Sequence, residues 1–235
     1  MNRIEKNRRN IDKDLQGIDK RKFFSPANYG DLKVTLPILK KYCTGICLDV
    51  GCGDMPYKKY ILKVVDQYDT LDFKAHVPDI KYVGDVQDMN CIKNDTYDTV
   101  VSFEVLEHVN NPFVAVSEIK RVLKSNGIFI LTVPHLSRLH DMPHDYYRYT
   151  KFGLKSLLNQ NGFKVLEILP RGGLFSFLGH QFSNIFLSIF WHIPIIKDIA
   201  FFINKWFCVL LSYFLDKHLD KNKLFALGYT VVAKL

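Results

Sequence analysis

Paired cysteines are missing from this chain of 235 residues. Its five cysteines are odd in number, and no Cys-x-x-Cys spacing suggests a zinc site. We therefore interpret them as small apolar residues of a protein in a reducing compartment. A secretory signal is also missing, because charged residues run through the first 22 positions. These absences predict a cytoplasmic protein.

An excess of acidic residues is missing too. Lys and Arg number 32 against 24 Asp and Glu, which gives a formal net charge of +8. Such a surface suits nucleic acid, anionic lipid or an anionic substrate. Hydrophobic residues make up 48% of the chain, which is enough for the core of one large domain, or of one domain with an appendage.

The third glycine of a dinucleotide-binding loop is absent from the most informative stretch, Leu48–Pro56. There an apolar run that begins at Ile46 stops at two glycines, Gly51 and Gly53, one residue apart. This pattern predicts a buried strand, a tight turn and then a helix, with a backbone that a ligand can approach closely. A dinucleotide dehydrogenase would need a further glycine three places later, where Pro56 stands.

Apolar runs alternate with helical patterns over most of the chain. The predicted strands are residues 45–50, 69–73, a strand ending near 84, 97–103, 128–133, 163–169 and 228–234. Asn111-Pro112 and Thr150 are predicted to open two of the helices between them. This order predicts a mainly parallel, doubly wound α/β sheet.

Five motifs then occur in order along residues 45–170. They are Leu-Asp-Val-Gly-Cys-Gly, an acidic residue at Asp72, Gly-Asp-Val-Gln-Asp, Tyr-Asp-Thr-Val-Val-Ser-Phe-Glu-Val-Leu-Glu-His-Val and Leu-Lys-Ser-Asn-Gly-Ile-Phe-Ile-Leu-Thr-Val-Pro. Together they make the chain resemble a class I S-adenosylmethionine-dependent methyltransferase of the type-11 group. The resemblance implies methyl transfer with that cofactor. It also implies a Rossmann-like, seven-stranded, mainly parallel sheet with helices on both faces.

A cofactor site at the carboxyl ends of the first four strands is implied by the same resemblance. Asp72 stands at a strand tip about twenty residues past the glycines, where a carboxylate can bind both hydroxyls of a ribose. Asp85 and Val86 would hold the adenine. The residues implied around the methionine part are Asp49, Gly51, Gly53, Ser102 and Glu104, and Cys52 and Phe73 complete the cofactor set.

The acceptor is expected at the loop of residues 134–150, which follows the fifth strand. Three histidines, two aspartates and three tyrosines occur there, and an oxygen or nitrogen acceptor needs a base to take its proton. His144, paired with Asp145 or Asp141, is our first candidate for that base, and His135 is the second. Arg148 would hold a phosphate or carboxylate, and Tyr146 and Tyr147 would stack on a sugar or ring. The alternative is a polar connector that caps the next helix.

A cluster of Glu104, Glu107 and His108 follows the fourth strand. In some similar methyltransferases of quinone precursors such a cluster holds a magnesium ion, and two carboxylates with an imidazole can ligate a divalent ion. The same Glu-His pair is common in relatives that have no metal. We expect no metal here, and a wall on the cofactor side of the site.

A hydrophobic insertion is predicted between the last two strands. Leu174–Ile196 contains no charged residue, and Ile199–Leu215 contains only Lys205. A helical hairpin lying in the membrane interface fits best, with a two-span hairpin and a buried helical cap as alternatives. The basic residues expected beside anionic headgroups are Arg171, Lys197, Lys217, Lys221 and Lys223.

The expected organisation is a basic N-terminal arm over residues 1–22, a methyltransferase core over 23–170, the insertion over 171–224 and a last core strand over 225–235. Similar loops of the His-Asp-Tyr-Tyr-Arg-Tyr-Thr style occur in methyltransferases of surface polysaccharides or lipid-linked sugars. We therefore expect a methyltransferase at the inner face of the cell membrane, acting on a sugar hydroxyl.

Two alternatives stay open from the sequence. One is an O-methyltransferase of a quinone or another lipophilic small molecule, and the other is a membrane-docked binding protein without catalysis. We expect no nucleic-acid partner, because the Asn-Pro-Pro-Tyr type of tetrapeptide is missing after the fourth strand. The sequence predicts neither the acceptor's identity nor the oligomeric state.

Overall fold

The structure is a computed structural model that describes residues 3–15 and 17–235. It divides into two compact units. We call Thr35–Leu169 with Gly228–Leu235 the sheet unit, and Met1–Val34 with Pro170–Leu227 the insertion unit. Each unit is described separately below.

The sheet has seven strands in the order β3-β2-β1-β4-β5-β7-β6. Their bounds are β1 Ile46–Val50, β2 Gln67–Asp72, β3 Tyr82–Val83, β4 Tyr97–Phe103, β5 Leu123–Pro134, β6 Lys164–Arg171 and β7 Gly228–Lys234. Strands β1 to β5 pair in parallel, and β7 pairs antiparallel with β5. The predicted Rossmann-like α/β fold is confirmed.

The sheet is buried where its sequence is continuously apolar. Cys47, Leu48 and Val50 of β1 are fully buried, as are Phe129 and Ile130 of β5. Strands that are covered on both faces need such runs, because neither side of the pleat meets water. Burial of these side chains is therefore the main stabilising contribution to the sheet unit.

Three helices precede the first strand, and further helices connect the strands. The first three are α1 Arg3–Asp14, α2 Ile18–Arg21 and α3 Pro26–Tyr42, and the connecting ones are α4 Lys58–Ile61, a 3₁₀ turn Leu106–His108, α5 Pro112–Val122 and α6 Lys151–Gln160. Asn111 caps α5 by accepting the Val114 N–H, and Thr150 caps α6 by accepting the Gly153 N–H. Both predicted helix starts are confirmed.

The insertion is helical and lies between β6 and β7 in the chain. Its segments are α7 Leu174–Phe190, α8 Pro194–Ile203, a π-helical stretch Asn204–Leu210 and α9 Leu211–His218. The two ends of the insertion meet, because Asp216 accepts the backbone N–H groups of Phe175 and Ser176, and Asp220 accepts that of Leu174. These carboxylates satisfy the unpaired N–H groups at the start of α7.

The N-terminal segment differs from the solvated arm expected over residues 1–22. Ile11 of α1 is buried in a cluster with Phe24, Leu187, Trp191 and Ala200. The basic helix α1 therefore packs through Ile11 against apolar side chains of its own unit. The many charged residues of this segment had predicted a solvated arm instead. The first 34 residues group with the insertion, so the boundary at residue 22 does not mark a unit; residues 1, 2 and 16 lie outside the described residues.

Candidate active site

A cleft of about 610 Å³ opens at the carboxyl edge of the sheet. Strands β1, β2 and β4 all end there because they run in parallel, and this is where ligands bind in open α/β sheets. The lining residues are Gly51, Leu71, Asp72, Phe73, Gly84, Asp85, Val86, Gln87, Glu104, Val105, His108, Val109, Asn110, Asp141, His144 and Tyr146.

The turn after β1 depends on its two glycines. Gly51 has φ +67°, and a Cβ there would lie 2.5 Å from Val105 Cγ2, so both its conformation and its surroundings exclude a side chain. Gly53 has φ +49° with open space around it. The Gly53 N–H donates to Asp72 Oδ2 at 2.9 Å. This hydrogen bond joins the turn to the tip of β2.

The residues implied for the nucleoside lie along one side of the cleft. Asp72 lies at the tip of β2 and Phe73 is largely exposed beside it. Asp85 accepts the Gln87 N–H at 2.8 Å, which closes a tight turn, and Val86 is buried within that turn. The strand tips thus present two carboxylates and an apolar surface.

Three of the implied cofactor residues lie below the cleft surface. Asp49, Cys52 and Ser102 are buried and are not among the lining residues. Tyr68 donates its hydroxyl to Asp49 Oδ2 at 2.5 Å, whereas Asp49 Oδ1 and Ser102 Oγ have no hydrogen-bond partner within the described chain. Burial raises the pKa of Asp49 to about 7 and that of Cys52 to about 12.

Glu104 takes up a strained position at the end of β4. Its φ is +54°, a left-handed conformation that is costly for a residue with a Cβ. The Glu104 N–H donates to the carbonyl oxygen of Thr132 at 3.0 Å, which holds this conformation. Strain of this kind is concentrated at functional sites, and Glu104 lines the cleft.

The charge of the cleft is opposite to that of the chain. Four carboxylates line it, at Asp72, Asp85, Glu104 and Asp141, and none of the lining residues among those described is Lys or Arg. An acidic cleft in a chain of net charge +8 favours a cationic ligand. A dinucleotide would instead bring a pyrophosphate against these carboxylates.

The loop after β5 contributes His144 and Tyr146 to the cleft. The carbonyl oxygen of Glu107 accepts the backbone N–H groups of Tyr146 and Tyr147, which fixes the loop to the 3₁₀ turn after β4. His144 Nδ1 lies 3.0 Å from the Tyr146 hydroxyl. This pair and Asp141, the alternative predicted partner of His144, are the parts of the predicted acceptor site that the structure brings into the cleft.

Asp145 and Arg148 lie elsewhere than expected. Both guanidinium Nη atoms of Arg148 donate to the Asp145 carboxylate, at 2.6 and 2.7 Å, and other donors of Arg148 bond to loop carbonyls. The hydrogen bond from Arg148 lowers the pKa of Asp145. The pair fastens the loop internally, which does not favour Asp145 as a partner of the base or Arg148 as an acceptor ligand.

His135 and Tyr147 are also absent from the cleft lining. The His135 ring packs on Tyr229 of β7, and burial lowers its pKa. Tyr147 donates its hydroxyl to the carbonyl oxygen of Asn110. The residue types could not predict which side chains of the loop face the cleft, because the loop has no regular secondary structure and therefore no period.

The structure also adds lining residues that the sequence did not indicate. They are Gln87, Val105, Val109 and Asn110. His108, which the sequence predicted for the cofactor side of the site, lines the cleft as well. All five lie in the stretches that follow β3 and β4, which was the one available signal. His140 of the loop packs edge-on against His108, with the ring centroids 4.8 Å apart, a contact between residues far apart in the sequence.

A sequence profile of a methyltransferase domain matches residues 19–168, more than half of the 235 residues. The chain is a member of this methyltransferase family. It is an S-adenosylmethionine-dependent methyltransferase, which confirms the class I resemblance; the type-11 group stays a prediction. No curated protein sequence matches it significantly.

Solved structures of methyltransferases share the fold. A chain of the complex between the Haloferax volcanii Trm112 methyltransferase activator and a methyltransferase has a TM-score of 0.57 at 15% identity, covering 86% of this chain and 89% of that one. A SAM-dependent methyltransferase from Archaeoglobus fulgidus has 0.55 at 16%, covering 92% and 97%. A structure described as a sarcosine dimethylglycine methyltransferase from Galdieria sulphuraria has 0.53 at 15%, covering 88% and 84%.

The residues of the cleft fit S-adenosylmethionine. The cofactor carries a sulfonium and an ammonium, which suit an acidic cleft, and its size suits a cavity of this volume. Asp72 would bind the ribose, and Asp85 with Val86 the adenine. Gly51 lines the cleft and would lie against the methionine part. These assignments remain predictions for the methyltransferase.

We predict that Asp72→Asn weakens cofactor binding by about 10- to 100-fold, since a hydrogen bond to a charged group contributes about 1.5–3 kcal/mol. The amide oxygen still accepts the Gly53 N–H, so the fold should persist. Calorimetric titration with S-adenosylhomocysteine measures the effect. Asp66→Asn, which removes an exposed carboxylate just before β2, is the matched control; equal affinity of both variants would exclude Asp72 from the site.

We predict a pH effect on stability from Asp49, whose pKa rises from 3.8 to about 7 on burial. The folded protein keeps this proton where the unfolded chain has lost it. The stability from this group is therefore present at about pH 4 and is lost as the pH rises towards 7. Over that pH range the free energy of unfolding of Asp49→Asn should rise relative to that of the wild type, by up to about 4 kcal/mol. Urea unfolding without cofactor measures it. Parallel pH profiles would contradict the assignment.

Proposed function

We propose that this methyltransferase transfers a methyl group to a membrane-associated acceptor, and that the acceptor group is a hydroxyl of a lipid-linked sugar or surface polysaccharide. The observation that carries the proposal is an inverted polarity in the insertion unit. Polar side chains there are buried, and large apolar ones are exposed to solvent.

Helix α7 has its polar side turned inward. Ser176, Ser183 and Ser188 are buried, and Asn7 of α1 donates to the Ser188 carbonyl oxygen at 2.7 Å. The exposed stripe of the same helix is apolar and recurs at helical spacing; its members are Leu178, Phe182, Ile185 and Ile189. A helix of a soluble protein shows the reverse pattern.

The chain from α8 to α9 repeats this inversion. Asn204 is fully buried, where its amide donates to the carbonyl oxygens of Phe23 and Phe24, and Ser212 is buried as well. The exposed apolar members are Ile195, Ile196, Ile199, Phe202, Ile203, Trp206, Phe207, Leu211 and Phe214. So large an apolar surface is expected where a protein meets a membrane or a partner.

An interfacial position explains the surface better than a membrane span. Pro194–His218 is long and apolar enough to cross a bilayer by length and composition alone. However, the end of α7 contacts charged groups, since Asp14 accepts hydrogen bonds from Trp191 Nε1 and Lys197 Nζ. That end would lie deepest in a spanning hairpin, where such groups are costly.

The basic residues divide into two groups. Arg171 is buried against Asp31, Lys197 pairs with Asp14, and Lys223 donates to the carbonyl oxygen of Asp216. These three residues, which were expected to contact headgroups, form contacts inside the insertion unit instead. Lys217 and Lys221 are exposed and remain available to anionic headgroups. The attraction contributes about 1 kcal/mol for each basic residue near the membrane surface.

The acceptor end of the cleft suits a hydroxyl. The cofactor, when bound, supplies an activated methyl group, and the protein orients the acceptor and receives its proton. His144 is the candidate for the proton, because it lines the cleft and the Tyr146 hydroxyl holds its ring. The exposed Tyr146 ring can also stack on a sugar or on an aromatic acceptor.

We predict that the protein binds vesicles through the apolar surface. Phe202→Gln with Phe207→Gln should reduce flotation with phosphatidylglycerol vesicles at least about 10-fold, since each phenylalanine side chain contributes about 1.5–3 kcal/mol when buried. Phe152→Gln in α6 is the control, because Phe152 is 73% exposed against 63% and 66% for the two substituted residues.

Neutral vesicles should bind less than anionic ones, and salt should weaken binding to the anionic ones. If the double variant floats like the wild type, the apolar surface is not the membrane contact. If neither protein floats, and the wild type is a dimer that dissociates in the double variant, the surface covers a second copy of the chain instead.

The acceptor itself is tested by methyl transfer to fractionated lipids. We predict that label from methyl-labelled S-adenosylmethionine enters a polyisoprenyl-linked sugar fraction and resists mild base, as a methyl ether does and a methyl ester does not. Label in a quinone fraction would replace the sugar with a phenol. Cofactor binding without transfer to any fraction would contradict a catalytic role at the membrane.

A further inference from the structure

In contrast to the expectation of no metal from the sequence, we propose that Glu107, His108 and His140 form a site for a single divalent transition-metal ion such as Zn²⁺. His108 and Glu107 belong to the 3₁₀ turn after β4, and His140 comes from the loop after β5. One ligand atom from each lies within 4.8 Å of the others. The ion would be held at the wall of the cleft, because His108 lines it.

The distances are close to those of a coordination shell. Glu107 Oε1 lies 3.7 Å from His108 Nε2 and 3.9 Å from His140 Nε2. Ligands about 2.0–2.1 Å from a tetrahedral zinc ion are roughly 3.4 Å apart. The two distances therefore exceed those of a zinc site by only a few tenths of an ångström.

The ring of His108 is oriented for a metal. Its Nδ1 lies 2.6 Å from the carbonyl oxygen of His144, which can only accept, so Nδ1 carries the proton. In the neutral ring, the nitrogen with the lone pair is then Nε2, which lies on the side of Glu107. Metal-bound histidines are held in this way, with the second ring nitrogen donating to a carbonyl or carboxylate.

His140 is oriented by the loop that Asp145 and Arg148 fasten. Asp145 Oδ2 accepts the backbone N–H of His140 at 2.8 Å, and His140 Nδ1 lies 3.3 Å from the carbonyl oxygen of Arg138 and 3.3 Å from Arg148 Nη2. Binding of a metal at Nε2 requires that Nδ1 donate to the carbonyl. The Asp145–Arg148 pair thereby acquires a role in positioning a ligand.

The chemistry of the donors selects the metal. Two imidazoles and one carboxylate suit zinc and related transition metals, whereas Mg²⁺ prefers oxygen ligands and retains its waters. The Glu107 carboxylate is fully buried, and both Nε2 atoms lie on the side of its Oε1 atom. A divalent cation bound there would be opposite in charge to the carboxylate.

The remaining coordination positions are left to water or to an oxygen of the acceptor, a role that rests on the proposed function. Coordination lowers the pKa of a bound hydroxyl or water. An acceptor hydroxyl bound there would lose its proton more readily. The metal would thus select acceptors with a hydroxyl over those with an amine or a carbon nucleophile.

The test is metal binding by the full chain, without cofactor or acceptor. Chelator-treated protein should bind one Zn²⁺ per chain in competition with a chromophoric chelator, and Co²⁺ should give the visible absorption of a four- or five-coordinate ion. His140→Ala and His108→Ala should each weaken Zn²⁺ binding more than about 10-fold. Loss of a residue that only hydrogen-bonds to a metal ligand already lowers metal affinity by about that factor. His218→Ala removes an exposed histidine of α9 and should leave binding unchanged.

His140→Ala is the deciding variant, because it changes a partly exposed loop residue, whereas Glu107→Gln alters a buried one. No bound zinc in the wild type, or equal affinity in His140→Ala and His218→Ala, overturns the site. The assay uses no methyl transfer. A failure to methylate lipid-linked sugars would therefore leave the metal result standing, and the reverse holds as well.

Discussion

The hydrogen bond from the Gly53 N–H to the Asp72 carboxylate is the contact on which the cofactor site depends. It joins the turn after β1 to the tip of β2, and it forms only because the turn takes a left-handed path at Gly51 and Gly53. The parallel register brings both tips to one edge of the sheet. Cleft shape, acidic charge and close backbone approach all follow from that arrangement.

The insertion unit obeys a different constraint. Its helices have enough polar contacts to fix their packing, through Asn7, Asn204 and Asp216, but many of their large apolar residues point outward. In water these residues contribute little to stability, because apolar surface that is left exposed gains nothing from folding. The arrangement is favourable only if the exposed surface is covered, and a membrane interface with its anionic headgroups covers it in our proposal.

The sheet could be predicted from the sequence because period and composition specify it. The bounds of β7 were anticipated at both ends, and the caps at Asn111 and Thr150 were read from residue type. Residues next to strand ends, such as Asp72 and Asp85, were placed in the cleft for the same reason. The loop after β5 was harder, because which of its side chains face the cleft depends on long-range contacts.

Two results show that limit. Arg148 binds Asp145 instead of facing the cleft. His140 packs against His108, which lies 32 residues earlier in the chain. We expect one S-adenosylmethionine to bind across the tips of the first four strands. A crystal structure with S-adenosylhomocysteine tests it most directly. We predict the ribose at Asp72, the adenine at Val86 and the amino-acid part over Gly51; a ligand bound elsewhere, or a cleft filled by its own side chains, would contradict the account.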